Sequence, residues 1–368
     1  MKRVRHRRLQ RVRLPRVSTP ERTNLANIVV CADGTWNRPE EDLAKDYPTN
    51  VLRLARAVSP EARGARQHVF YDWGLGSYHD GAVAGATGRG IHKNIVDGYR
   101  YVVHNYAPGD RIFLFGFSRG AYTVRALCGL IHNCGIVRRA DARLIARAWR
   151  MYKSPARANR PGGDAAAAFR AAHSHPSREI HFVGVWDTVG ALGIPFSLMG
   201  LFDGNDEFYD NRMGGNVRTA RHALAIDERR QDFEPTLWQP KAGVDLKQVW
   251  FAGCHADVGG GHTPDADGAC IGDVALGWML REAGRAGLAV EEHLRTGLTD
   301  GTHARIHRSR VKVFRLRPAE DRVLDVPGID TPVHPSVRQR FEEDGGYRPK
   351  NLIQLLNAQG GWDGVLEA

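Results

Sequence analysis

The chain has no apolar run approaching the roughly 18 to 20 residues that a membrane-crossing helix needs. Cysteine is scarce, with only Cys31, Cys128, Cys134, Cys254 and Cys270. An odd number without CxxC spacing argues for reduced thiols in a cytoplasmic setting rather than a disulfide framework. There are no heptads and no internal repeat. The N-terminus lacks the apolar stretch of about 7–15 residues that marks a secretory signal. Acidic residues are almost missing there too. Residues 2–22 hold nine Lys or Arg and a single acid, Glu21, a balance of 9 − 1 = +8. The whole chain carries +11, so the remainder holds only +3. The division expected is a basic, disordered arm over 1–26 and one folded domain over 27–368. The arm can lie on an anionic membrane surface, hold nucleic acid non-specifically, or be a solvated tail. Nucleic acid is the less favoured partner. Hydrophobic content of 42% is enough for a substantial core.

What is present is an alternation of strand-like and helical segments. Asn27–Asp33 and Gln67–Trp73 read as strands. Val51–Val58 has helical spacing. A glycine-rich loop over 74–90 leads to a helix ending near Asn105. This order favours a mostly parallel sheet flanked by helices. Asp141–His175 reads as a helical insertion broken at Pro155 and at Pro161. Ile271–Ala286 reads as a helix and Arg310–Leu316 as a strand. The stretch from Pro332 to Ala368 has no clear pattern.

Residues 112–120 form an apolar run ending in Gly116-Phe117-Ser118-Arg119-Gly120, with a helix-forming segment behind it. A G-x-S-x-G between strand and helix places a serine on a sharp turn, with helix N-terminal N–H groups beside it. A nucleophile there needs a base and an orienting acid. Asp187 follows the apolar run 179–186, and His255 follows 247–254. Strand ends are where ligands bind in open α/β sheets. Ser118, His255 and Asp187 therefore form a candidate nucleophile, base and acid. The Arg119 N–H and the backbone of Gly34 and Thr35, after the first strand, are candidate oxyanion donors. Asp33 starts that turn. His334 is the rival base, although no strand directly precedes it. His222 and Asp227 lie in a helix-like run and are read as packing or capping residues.

The sequence resembles the α/β-hydrolase family whose bacterial members include type VI secretion phospholipase effectors. The resemblance rests on residues 31–37, 116–122, 185–190, 222–230 and 249–261, in order. It implies an α/β-hydrolase-like fold, Ser118, Asp187 and His255 as triad, and hydrolysis of an ester or phospholipid.

His255, Asp257, His262, Asp265 and Asp267 invite a metal reading. A structural turn is preferred, with Asp257 bonded inside the loop, and no metal or cofactor is expected. Gly85–Gly90 fits neither a dinucleotide fingerprint nor a P-loop. The apolar segment Ile194–Phe202 suits a lid or acyl surface, or a core cover. The expectation is thus a serine hydrolase acting on a lipid ester. A soluble esterase or thioesterase, and a non-catalytic binding module using the arm, are the alternatives. The expected location is cytoplasmic, with signal-independent export left open. The sequence identifies no immunity or delivery partner.

Overall fold

The computed structural model describes residues 25–34, 37, 39–42, 46–74, 88–189, 213–310 and 318–368. Seven strands form one sheet: β1 (Ala26–Ala32), β2 (Glu61–Ala62), β3 (Ala65–Asp72), β4 (Arg111–Phe117), β5 (Ile180–Trp186), β6 (Val217–Ala225) and β7 (Asp245–Phe251). Their order across the sheet is β2-β3-β1-β4-β5-β6-β7, and every pairing is parallel except β2 with β3. The chain moves from β1 to β3 on one side and then crosses to β4 on the other. That reversal opens a crevice at the C-terminal ends of β1 and β4.

The central strands are apolar almost throughout because helices cover both faces. Side chains alternate between the two faces. Ile28, Val30, Ile112 and Leu114 face a core built by α2 (Gly88–Asn105), α3 (Arg119–Cys134), α4 (Ala142–Tyr152) and α5 (Asp164–His173). Val29, Cys31, Phe113 and Phe115 face the other core. There α1 (Asn50–Ala57) and α7 (Gly272–Arg285) contribute Val51, Leu54, Leu276 and Met279. This is the α/β-hydrolase-like, mostly parallel sheet with helical insertions that the resemblance implied. The insertion after α3 is α4 and α5, parted near Pro155 and Pro161 as expected. All five cysteines are buried and unbridged. None of the described helices is long and apolar enough to cross a membrane.

One sequence expectation needs correction, and one stretch without a readable pattern takes a definite form. His222 stands in β6, not in a helix. The run VRTARHALA looks helical because it has no apolar alternation. Pairing with β5 on one side and β7 on the other overrides that local preference. Its charged Arg221 is neutralised by Glu282 at 2.5 Å and Asp245 at 2.7 Å. The C-terminal stretch is ordered as well. Beyond the short α8 (Glu292–Thr296), it holds α9 (Pro335–Glu343) and α10 (Lys350–Gln359), which form a third core with Leu224 and Trp250. Trp250 bonds Pro332 and His334 through its backbone, so this stretch also covers the β7 edge. Residues 311–317, 190–212 and 75–87 lie outside the described residues. The expected strand beyond Arg310, the apolar segment Ile194–Phe202 and most of the glycine-rich loop fall there.

Candidate active site

Ser118 occupies the single-residue step between β4 and α3. Its backbone takes φ 56° and ψ −121°, a conformation costly for a residue with a Cβ. Close packing enforces it. A Cβ on Gly120 would meet the Ala32 carbonyl oxygen at 2.1 Å, and one on Gly116 would meet the Gly120 oxygen at 2.5 Å. Gly120 thus lets the start of α3 press against the end of β1, and Gly116 lets the same turn of α3 fold tightly back on β4. The turn drives Ser118 to the head of the crevice, with Arg119 opening the helix behind it. A Cβ on Gly34 would lie 3.1 Å from Ser118 Cβ, so the turn after β1 lines the same spot.

Asp187 follows β5 directly and also has a positive φ, of 40°. Its carboxylate is fully buried and accepts a 2.6 Å bond from His255 Nδ1. That bond leaves Nε2 as the free basic atom of a neutral imidazole. His255 is the first residue of α6 (His255–Gly259), four residues beyond the end of β7. Its ring packs on Phe117, whose centroid is 4.6 Å away, and Phe117 is the neighbour of Ser118. The three residues expected as a triad are thereby gathered at one end of the sheet. Burial, the largest influence, lowers the His255 pKa, and the Asp187 bond pulls it partly back. Burial pushes Asp187 up, but Arg322 and His255 outweigh it and hold the carboxylate well below its usual range.

Three further residues were not assigned roles from the sequence. Arg322 grips Asp187 with both terminal nitrogens, at 2.7 and 3.0 Å. Glu228 accepts the His255 N–H at 3.3 Å and is itself held by Arg230 at 2.8 Å. Phe233 meets the His255 ring edge-on at 5.0 Å, and Arg230 stacks over Phe233 at 3.4 Å. Glu228 does sit inside the 222–230 segment that carries the resemblance. Arg322 offered no local signal.

The turn after β1 is pinned by Asp33. Its carboxylate accepts bonds from Gly34 N at 2.8 Å, Asn37 at 3.2 Å, Thr49 at 2.5 Å and Tyr71 at 2.8 Å. Burial nevertheless raises its pKa. The Gly34 N–H, expected as an oxyanion donor, is therefore engaged by the preceding carboxylate. Thr35 lies outside the described residues. His334 caps α9, bonds Ser336 at 2.8 Å and stacks on Phe251 at 4.7 Å. Burial, then Arg281, lowers its pKa to about 4. It borders a separate surface cavity of about 340 Å³ with Asp273, Arg281 and Asp300, while Asp187 is partnered by His255.

Cys254, Asp257 and His262 bring three ligand-type atoms within 4.8 Å of one another. The Asp257 oxygens, however, already accept the Cys254 N–H at 2.9 Å, the His307 N–H at 3.0 Å and His307 Nδ1 at 2.7 Å. His307 in turn stacks on His262 at 3.8 Å. Asp265 and Asp267 accept backbone bonds from Arg305 and Ala269. The Asp257 carboxylate thus braces the turn that carries His255.

A family model for the T6SS phospholipase effector Tle1-like catalytic domain matches residues 26–282. The chain belongs to this family. An uncharacterized protein of Saccharomyces cerevisiae, YEL023C, is 27% identical over 237 residues, covering 58% of this chain and 33% of the yeast protein. The Tle1-like chain thus spans about a third of the length of that curated relative. Among solved structures, an uncharacterized protein from Pseudomonas aeruginosa matches with a TM-score of 0.44 and 17% identity, over 75% of this chain and 47% of that one. A Tle1 effector bound to the VgrG spike of the Type 6 secretion system matches with a TM-score of 0.35 and 18% identity, over 67% and 53%. Ser118, Asp187 and His255 all fall inside the matched region. Arg322 falls outside it.

Proposed function

We propose that the protein is a serine hydrolase that cleaves a carboxylic ester of a lipid or phospholipid through an acyl-enzyme. One observation carries the chemistry: Ser118 stands on a strained strand-to-helix turn, its neighbour Phe117 packs on the His255 ring, and Nδ1 of that ring is bonded to a buried carboxylate. Membership of the Tle1-like phospholipase effector family supports the lipid class.

In this reading His255 Nε2 takes the Ser118 proton as Oγ attacks the ester carbonyl. The Arg119 N–H, at the start of α3, receives the developing oxyanion. Thr35 is proposed as the second donor, since the Gly34 N–H is given to Asp33. The tetrahedral intermediate collapses, and the imidazolium protonates the departing alcohol. Water then attacks the Ser118 ester with His255 again as base, releasing the carboxylic acid and restoring the serine.

The test is release of fatty acid from phospholipid micelles, compared with release from a short soluble ester. Faster turnover of the micellar substrate, abolished by Ser118→Ala, is expected. Turnover of the soluble ester alone would move the substrate to a small-molecule class. No turnover of either would contradict the hydrolase reading.

A further inference from the structure

The C-terminal stretch beyond the family match reaches back into the catalytic centre. We propose that Arg322 is a positioning residue of this site, clamping the carboxylate that orients His255. The inference rests on the serine-hydrolase reading and extends it.

Arg322 is 3% exposed, deep beneath the ends of β5 and β6. Nη1 donates to Asp187 Oδ1 at 2.7 Å and to the Ala225 carbonyl at 2.7 Å. Nη2 donates to Asp187 Oδ2 at 3.0 Å and to the Phe233 carbonyl. Such a planar two-pronged grip fixes a carboxylate in both position and rotation, which a lysine cannot do. The grip is needed here for a stated reason. Asp187 has φ 40°, a backbone conformation that few side chains hold without outside support. Ala225 N adds a 3.0 Å bond to the same Oδ1, so the carboxylate cannot turn away from the imidazole.

The clamp also sets the charge around the base. Asp187, Arg230 and Glu228 act on His255 directly, while Arg322 acts through Asp187, with Glu234 near both Arg322 and Asp187. In a triad without such a clamp the acid carries a full negative charge that favours imidazolium. Here Arg322 is paired with that carboxylate and offsets its charge, while burial lowers the His255 pKa. Loss of Arg322 would therefore both loosen Asp187 and raise the pH at which His255 protonates.

The experiment uses the full chain and the rate of fluorophosphonate labelling at Ser118, followed from acid to neutral pH. Wild type and Ser118→Ala come first, because absence of Ser118-dependent labelling would overturn the serine-hydrolase reading itself. Arg322→Ala and Arg322→Lys are then compared. About 100-fold slower labelling at neutral pH is expected for Arg322→Ala, as for a misplaced catalytic group. Its acid limb should move up by about one unit. Added methylguanidine should restore part of the rate. Arg322→Lys, which keeps the charge but loses the fork, should retain the wild-type acid limb more closely yet label slowly. Wild-type rates and limbs in both folded variants would overturn the proposal. Slow labelling with an unmoved limb and no rescue would reduce Arg322 to a structural role and overturn it equally.

Discussion

Ser118, Asp187 and His255 differ in how their sequence announces them. Ser118 sits in a motif whose glycines have a direct steric purpose, so it was legible. Asp187 and His255 were found because each follows an apolar strand. Replacement of Ser118 by Ala should lower kcat about a millionfold while leaving the fold intact, read by fatty-acid release beside circular dichroism. The pH profile carries a definite sign. His255 must be neutral to act, and burial lowers its pKa against the pull of Asp187. The acid limb of kcat/KM should therefore lie below the ordinary imidazole value of about 6.5. A limb at or above that value would contradict the site's electrostatics. His222 tests the same physics through stability. It accepts the Thr188 N–H at 3.1 Å on Nε2 and faces Gln248 on Nδ1 at 3.3 Å, and burial, then Arg125, lowers its pKa to about 3. The unfolded chain thus binds more protons between about 3 and 6.5. This contribution is fully present above the unfolded value and is lost as pH falls through that window. His222→Gln, which can both accept and donate, should show a shallower loss of melting temperature toward acid.

At the level of elements, the sheet was readable where burial on both faces wrote near-continuous apolar runs, as in β1 and β4. It was not readable in β6, where Arg221 and His222 are buried polar residues satisfied by partners on other elements. The helix α6 was hidden in a glycine-rich run that looked like loop. It matters because it sets His255 beyond β7 and turns its ring toward Asp187. Arg322 was illegible for a plain reason: its partner is 135 residues away in the chain. The β4–α3 junction gives the sharpest test at this scale. Gly120→Ala would push a Cβ against the Ala32 carbonyl, a backbone atom with no room to retreat. It should cost about 3 kcal/mol in chemical denaturation, with labelling of Ser118 slowed as well. An unchanged denaturation midpoint would show that the junction is not packed as described.

Across the whole molecule, charge and catalysis are separated along the chain. Residues 2–22 hold +8 of the +11, while Ser118, Asp187 and His255 stand just beyond strand ends. We propose that the arm adds electrostatic attraction to anionic membrane surfaces. Deleting residues 2–22 should leave Ser118 labelling unchanged and weaken binding to anionic vesicles at low salt, with the difference shrinking as ionic strength rises. Equal vesicle binding with and without the arm would remove it from the account. The same scale gives the C-terminal stretch its place. It covers the β7 edge, builds a third core and delivers Arg322 to Asp187, so its described residues pack as part of the same body as the sheet.

The most direct measurement is fluorophosphonate labelling of the full chain, with the modified residue located by mass spectrometry, in wild type, Ser118→Ala and His255→Ala. Modification at Ser118 in the wild type, lost in both variants, is the predicted result. Labelling of His255→Ala at the wild-type rate, or no modification of Ser118 even with lipid micelles present, would contradict the central claim that His255 and Asp187 activate Ser118.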